Sequence, residues 1–165
     1  YSQFTNVIDT ADPSIIGNLT LVTMRKNFPV TLDSTLTYTI DFQNEIHPGS
    51  LVNKYPFQAV KDIRFNAGVN PLYLEDDEAG KIRIYKYEGT GSTATKTILS
   101  STAGTVDYAS GVVKLTNFKF SQVNSDGTFD LVAKPVDFAI GDITSKRNTI
   151  LTIDPADVTV SVTAK

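Results

Sequence analysis

The sequence predicts an all-β fold, either an antiparallel sandwich or a β-roll of short strands and hairpins, with little helix. Three observations support this prediction. The chain is rich in Thr and contains 7 Tyr and 9 Phe residues but no Trp, and strands favour Thr and aromatic side chains. Several segments alternate apolar and polar residues, whereas few hold the 3.6-residue period of a helix. Turn-forming residues separate these segments at short intervals, which is typical of sandwiches and rolls.

The clearest element is a β-hairpin predicted at residues 104–120. Val106 and Tyr108 are strand formers, and residues 109–111 form a short turn. Gly111 lies where a positive φ is expected, a conformation that glycine adopts at little steric cost. This hairpin is therefore predicted to be part of the structural scaffold, and it contains no pattern of reactive groups.

The return strand of this hairpin changes phase. Val113 and Leu115 share one face, but Phe118 and Phe120 follow one residue out of step. Because side chains in a strand alternate with a period of two, a slip of one residue moves later side chains to the other face unless a bulge absorbs it. We therefore expect a bulge or sharp bend near residues 116–117.

The remaining strands follow from alternation and from turn signals. Pro29 is expected to end the first, and residues 57–65 fit either a helical turn or a strand, of which we favour the strand. Residues 66–80 are expected to form a long loop and residues 89–95 a flexible hairpin tip. Residues 96–100 are expected to lead into the hairpin at 104–120, and residues 124–127 to form a tight turn. The predicted strands are residues 19–26, 36–43, 57–65, 81–87, 129–133, 150–153 and 158–162.

One of these strands has the most regular alternation. Leu36, Tyr38, Ile40 and Phe42 share one face, and polar residues share the other. This pattern is typical of a half-buried strand in an antiparallel sheet.

The length of the chain predicts one domain, or two very small ones. Of the 165 residues, we interpret 1–16 as an N-terminal linker or arm and 17–165 as a single β domain, long enough to bury a core without staples. The chain opens on Tyr1 rather than Met, which we interpret as a piece of a longer protein or a processed product.

Composition argues against several function classes. The net charge is -3 and the pI is about 5.0, so no basic footprint for nucleic acid or anionic membrane is expected. No apolar run approaches the roughly 20 residues of a membrane-spanning helix. The absence of Cys rules out disulfides and thiolate catalysis.

Candidate reactive groups are sparse. His47, the only histidine, precedes Pro-Gly in a predicted turn, so we interpret it as a surface residue rather than a catalytic base. A zinc site needs three or four His or Cys ligands, which the chain lacks. The acidic run 75–78 lacks the spacing of a calcium loop and is expected to be a solvated turn. Asn18 opens a formal glycosylation sequon that we attribute to chance.

The Gly-rich stretch at residues 89–97 fails as a phosphate loop. Thr95 precedes Lys96, where the P-loop requires Gly. We therefore predict no catalytic, cofactor-binding or metal-binding residues, no cofactor and no small-molecule ligand.

Three segments, taken in order, resemble a known family. They are residues 15–20 with 24–28, the hairpin at 104–111 with Val113 and Leu115, and residues 141–143 through 147–151 closing on 157–160. Together they are similar to the C-terminal part of the larger baseplate wedge protein of T4-like, contractile-tailed phages. The resemblance extends from about Thr10 to the end of the chain.

The resemblance implies a virion structural protein of the tail baseplate, made in the host cytoplasm, and not an enzyme. Proteins of this family dimerise and join neighbouring wedges into a ring around the tail hub. The implied partners are a second copy of the chain and other baseplate wedge proteins, without nucleic acid or membrane. We expect residues 1–16 and 139–148 to lie near contacts.

Two other functions stay open. A carbohydrate-binding or adhesin-type β-sandwich is expected to expose a row of aromatic side chains on one sheet face, for which Tyr85 and Tyr87 are the candidates. A glycoside hydrolase needs two facing carboxylates in a cleft, and no motif indicates them.

Overall fold

The structure is a computed structural model that describes residues 10–11, 23–60 and 71–136. These residues form an antiparallel β protein whose only helical element is a 3-10 turn at Gly91–Thr93, which confirms the predicted all-β class. The described strands are β1 (Met24–Pro29), β2 (Leu36–Asp41), β3 (Val52–Asn53), β4 (Gln58–Val60), β5 (Tyr73–Asp76), β6 (Lys81–Glu88), β7 (Thr95–Asp107), β8 (Val112–Gln122) and β9 (Thr128–Ala133).

The strands make one curled sheet. Their order is β1-β9-β3-β5-β6-β7-β8-β2, and β4 pairs with the C-terminal part of β8. The end strands approach each other, since the rings of Phe28 and Tyr38 lie 6.0 Å apart. The segment between them runs beside β8, where Leu32 forms a parallel bridge with Phe120 and the Asp33 N–H donates to the Phe120 carbonyl at 2.7 Å. The sheet therefore closes almost completely into a sandwich-like barrel.

The core fills the inside of this curl. Four Phe rings pack at its centre, with Phe120 and Phe129 4.8 Å apart and Phe57 and Phe129 5.1 Å apart. Phe118 lies 4.7 Å from Phe120. Aromatic pairs at these separations contribute about 0.5–1.5 kcal/mol each beyond their buried area. The rings come from β8, β9 and the residue before β4, so they hold both sides of the barrel together.

The predicted hairpin is confirmed as β7, a turn and β8. Gly111 has a φ of 72°, and its carbonyl accepts the Phe42 N–H at 2.9 Å. A Cβ at this position would lie 2.0 Å from the Asn44 carbonyl oxygen. Glycine is therefore required here both for its conformation and for the close approach of a neighbouring segment.

The bulge is also confirmed. Tyr38 pairs with Leu115 and Leu36 pairs with Phe118, so β8 contains one residue more than β2 over this interval. Asn117 has a φ of 51°, a left-handed conformation that Asn tolerates better than most residues. The extra residue lets Val113, Leu115, Phe118 and Phe120 all face the core.

The alternation of side chains in β9 and the turn that precedes this strand both match the prediction from the sequence. Gly127 closes the turn with a φ of 74°, and its N–H donates to the Asn124 carbonyl at 2.9 Å. Phe129, Leu131 and Ala133 are buried, as their alternation predicts.

Several predicted boundaries are wrong. β1 continues beyond Lys26 and includes Pro29, because a strand at the end of a sheet accommodates the missing N–H of proline. β2 ends at Asp41, and Leu36, beyond the bulge, is 42% exposed instead of buried. The strands are not all short, since β7 has 13 residues and β8 has 11.

The largest error is the predicted loop at 66–80, which contains strand β5. Its acidic sequence indicates a solvated segment. Leu72 and Leu74 are nevertheless buried, and so is Asp76, because tertiary hydrogen bonds satisfy its carboxylate.

Other predictions fall on residues outside the described ranges. These are the strands at 150–153 and 158–162, residues 19–22 of the strand at 19–26, residues 61–65 of the strand at 57–65, residues 66–70 of the loop at 66–80, the arm at 1–16 apart from residues 10–11, Asn18, and the expected contact segment 139–148. Within the described ranges, no helix is long and apolar enough to cross a membrane.

Candidate interaction surface

His47 lies in an exposed turn. Its carbonyl accepts the Ser50 N–H at 3.2 Å, and its ring Nδ1 lies 2.8 Å from the Pro48 carbonyl oxygen. The structure thus places this imidazole at a chain reversal that local backbone bonds stabilise.

The acidic run divides into three environments. Asp77 begins the β5–β6 turn and accepts the N–H groups of Ala79 and Lys81. These bonds lower the pKa of Asp77, and the bond from the Lys81 N–H lowers it most. Glu75 faces outward on β5, and Asp76 faces inward. The solvated-turn interpretation therefore holds for Asp77 in the turn but is wrong for Glu75 and Asp76, which lie on β5. Within the part of the chain that the structure describes, no group of three or more His, Asp or Glu side chains is placed to hold a metal ion.

Asp76 joins three segments through its buried carboxylate. It accepts the Gly49 N–H at 2.6 Å and the Leu51 N–H at 2.9 Å. The Tyr108 hydroxyl donates to the same carboxylate at 2.7 Å. Burial, together with this bond to Asp76, raises the pKa of the Tyr108 phenol. Because its partners are backbone N–H groups and a neutral hydroxyl, we assign this carboxylate a structural role, in which it connects the three segments.

Lys96 does not serve the glycine-rich tip. It lies on β7, and its ammonium pairs with Glu75 and lies 4.0 Å from the centre of the Tyr85 ring. Arg83 also contacts Glu75, with Nη2 3.2 Å from Oε1. One carboxylate thus holds two cations beside an aromatic ring.

The face of β5, β6 and β7 turned away from the core carries a row of apolar residues. Tyr73 pairs with Tyr85, and Tyr85 pairs with Ile98. We name these three residues the outer-face row. The rings of Tyr73 and Tyr85 are stacked at 5.5 Å, and Tyr87 meets both rings edge-on.

The most exposed residues of this surface lie on β6 and β7. Tyr87 and Ile98 are each 49% exposed, whereas Tyr85 is almost covered. Tyr85 lies on β6 between β5 and β7, so Tyr73 approaches it from one side and Lys96 from the other. This burial, followed by the nearby Tyr87 and Glu75, raises the pKa of Tyr85 to about 12. The phenol is therefore neutral at physiological pH, and the surface is apolar with a small charged rim.

Sequence reasoning identifies only part of this surface. The spacing of Tyr85 and Tyr87 places them on one face of a strand, as predicted. Tyr73 falls in the segment predicted as a loop, and Ile98 falls in a segment predicted to lead into the hairpin. Both are neighbours of Tyr85 across strands, and no local pattern in the sequence shows which residues the register brings together.

The fold and this surface define an all-β protein with an apolar outer sheet face. Comparison with known proteins adds no relative, since no family model, no curated protein and no solved structure matches the chain.

Proposed function

We propose that this chain is a structural module of a contractile phage tail baseplate wedge, which holds copies of itself and other wedge proteins in place. The observation that carries the proposal is the outer-face row, an apolar strip on a hydrogen-bonded sheet whose end at Ile98 is open to solvent. The resemblance of the hairpin at 104–111 and its neighbouring segments to the wedge family supplies the biological setting.

The surface has the composition of a protein contact. Tyr is enriched where proteins meet because its ring buries area at low entropic cost and its hydroxyl bonds at the edge. Here Tyr73, Tyr85 and Tyr87 form one cluster, and Glu75 with its two cations lies beside it. Burial of the apolar centre supplies affinity, and the polar rim fixes the orientation in which the two partners bind.

Light scattering of the purified 165-residue chain over a range of micromolar concentrations tests this function. We expect the mass to rise to that of a dimer, because symmetric homo-oligomers most often pair about a two-fold axis. Co-expression with other wedge proteins of a contractile-tailed phage is expected to give a stable complex. A chain that stays monomeric throughout and joins no complex contradicts the proposal.

A second candidate is a carbohydrate-binding module, which the tyrosine cluster also favours. Sugars stack on exposed aromatic faces, and Tyr87 is the ring most open to solvent in this cluster. The burial of Tyr85 favours the assembly role, because only one of the two rings expected to stack on sugar, that of Tyr87, is exposed. Calorimetry with soluble bacterial cell-surface oligosaccharides discriminates the two functions: binding heat that Tyr87→Ala abolishes supports the module, and its absence supports assembly.

A further inference from the structure

Within the part of the chain that the structure describes, strand β7 has one edge that is largely unpaired. Its residues 95–105 pair with β6, whereas on its other side β8 pairs only with Gly104–Asp107. Among the described strands, none pairs with the second side of Thr95–Ser101. Ile98 lies on this edge and is 49% exposed.

Open edges are templates for another strand, and proteins commonly protect them with proline, inward charges or bulges. Thr95–Ile98 contains no proline and a single charge, Lys96. The protection begins only at Leu99. Tyr85 pairs with Ile98 whereas Ile84 pairs with Ser100, so Leu99 is an extra residue that ends the regular edge.

We infer that two copies of this chain pair antiparallel through this edge, about a two-fold axis at Thr97. The inference rests on the proposed assembly function and names the surface that performs the self-association. The partner is a second copy of the chain, because the regular stretch Thr95–Ile98 can pair antiparallel with itself. Only one register of that pairing suits both its charge and the neighbouring bulge.

The charges and the bulge select that register. An axis at Lys96 would place the two Lys96 side chains directly opposite each other, and like charges in this position are destabilising. An axis at Ile98 would draw the bulged Leu99 into the ladder. An axis at Thr97 confines the ladder to the regular residues Lys96–Ile98, with Thr97 opposite its own copy and Ile98 opposite Lys96 of the other copy.

This register also covers the exposed end of the outer-face row. Each Ile98 packs on the aliphatic stem of the opposing Lys96, whose ammonium is held by Glu75 and the Tyr85 ring. Long charged side chains bury such stems while their head groups stay bound or solvated. The two sheets then continue across the axis as one.

Cysteine trapping tests the axis, because the chain has no native cysteine. Residues directly opposite in antiparallel strands have Cα atoms about 4.5–5.5 Å apart, within the range of a disulfide. Thr97→Cys is expected to form a disulfide-linked dimer under a mild oxidant. Thr39→Cys, an exposed threonine on β2, is the matched control and is expected to remain largely monomeric.

A charge pair at position 98 tests the register. Ile98→Lys opposes Lys96 of the other copy, and Ile98→Glu pairs with it, while both variants lose the same apolar contact. We expect the glutamate variant to dimerise about tenfold more tightly than the lysine variant, measured by analytical ultracentrifugation. Circular dichroism establishes that both variants are folded.

The outcomes separate the two proposals. A dimeric wild-type chain in which Thr97→Cys links no faster than Thr39→Cys, or in which the two charge variants dimerise equally, overturns the β7 pairing and leaves the assembly function standing. A wild-type chain that neither dimerises nor joins other wedge proteins overturns both. Preferential linking at Thr97 with the expected charge order supports both.

Discussion

At the residue scale, two buried carboxylates hold segments that are far apart in sequence. Asp130 accepts a two-point bond from Arg25, with distances of 2.8 and 2.9 Å, and a third bond from Asn124. Asp76 is only 3% exposed and accepts three donors. A buried carboxylate is tolerated only when such partners replace its lost hydration. Asp76 is buried beside core residues, whereas Asp130 lies on the opposite face of β9 from Phe129 and Leu131, and both act through hydrogen bonding.

Removing the Asp76 carboxylate is expected to destabilise the fold strongly. Asp76→Ala leaves the N–H groups of Gly49 and Leu51 without their acceptor, and we expect the free energy of unfolding to fall by about 3 kcal/mol. Urea denaturation measures this loss. Tyr108→Phe removes one of the three bonds and is expected to cost about 1 kcal/mol. Equal losses in the two variants would show that the backbone donors find other partners.

The raised pKa of Tyr85 predicts a loss of stability at high pH. The ordinary pKa of a tyrosine phenol is 10.0, and burial raises the pKa of Tyr85 to about 12 in the folded chain. The folded state therefore holds this proton more tightly than the unfolded state. The resulting stabilisation is fully present below pH 10 and is lost as the pH rises towards 12.

Urea denaturation at a series of alkaline pH values measures this dependence. Tyr85→Phe has no proton to lose at this position, so its stability is expected to fall less steeply over the same interval. An identical slope in the variant and the parent chain contradicts the assignment.

At the element scale, the turns show how local conformation and tertiary contact act together. Gly111 and Gly127 both have a positive φ, 72° and 74°. A Cβ at Gly127 meets nothing within 4 Å, whereas a Cβ at Gly111 would lie 2.0 Å from the Asn44 carbonyl oxygen. The two positions therefore separate the cost of conformation from the cost of collision.

Alanine at these two positions is expected to have different effects. Gly127→Ala carries only the left-handed backbone penalty of about 1–2 kcal/mol. Gly111→Ala must in addition push apart the hairpin turn and the segment after β2, so we expect a loss of at least about 3 kcal/mol. Chemical denaturation of both variants provides the comparison. Equal losses would mean that the Asn44 segment moves away freely.

The elements that the sequence predicts well are those determined by neighbours in the chain. The β7–β8 turn and the bulge at Asn117 follow from glycine placement and from a change of alternation within a few residues. Strand β5 escapes prediction because its evidence is not local. Its acidic residues look solvated until Arg83, Lys96 and the backbone after His47 are placed beside them.

At the scale of the whole molecule, closure of the barrel depends on contacts between the first and last strands of the sheet order. Phe28 of β1 meets Tyr38 of β2 at 6.0 Å, and each ring packs on a core Phe, Phe129 and Phe120 respectively. Among the described strands, no ladder joins β1 to β2, so these rings bridge the gap.

A double-mutant cycle measures this closure. We expect Phe28→Ala and Tyr38→Ala to be coupled by about 0.5–1.5 kcal/mol in the free energy of unfolding. The control cycle combines Tyr38→Ala with Tyr87→Ala on the distant outer face and is expected to give no coupling. Additive effects of Phe28 and Tyr38 would show that the two end strands are stabilised independently.

The sequence alone determined the all-β class, the β7–β8 hairpin with its turn at Gly111, the bulge, and the turn before β9. Each depends on backbone preferences and on a period of two, which act over a few consecutive residues. Only the tertiary structure decided that β5 is a strand, that Asp76 is buried, that Tyr73, Tyr85 and Ile98 form one row, and that no described strand pairs with the edge of β7 at Thr97. These features depend on strand order and register, because antiparallel pairing brings together residues whose separation in the chain leaves no trace in local composition.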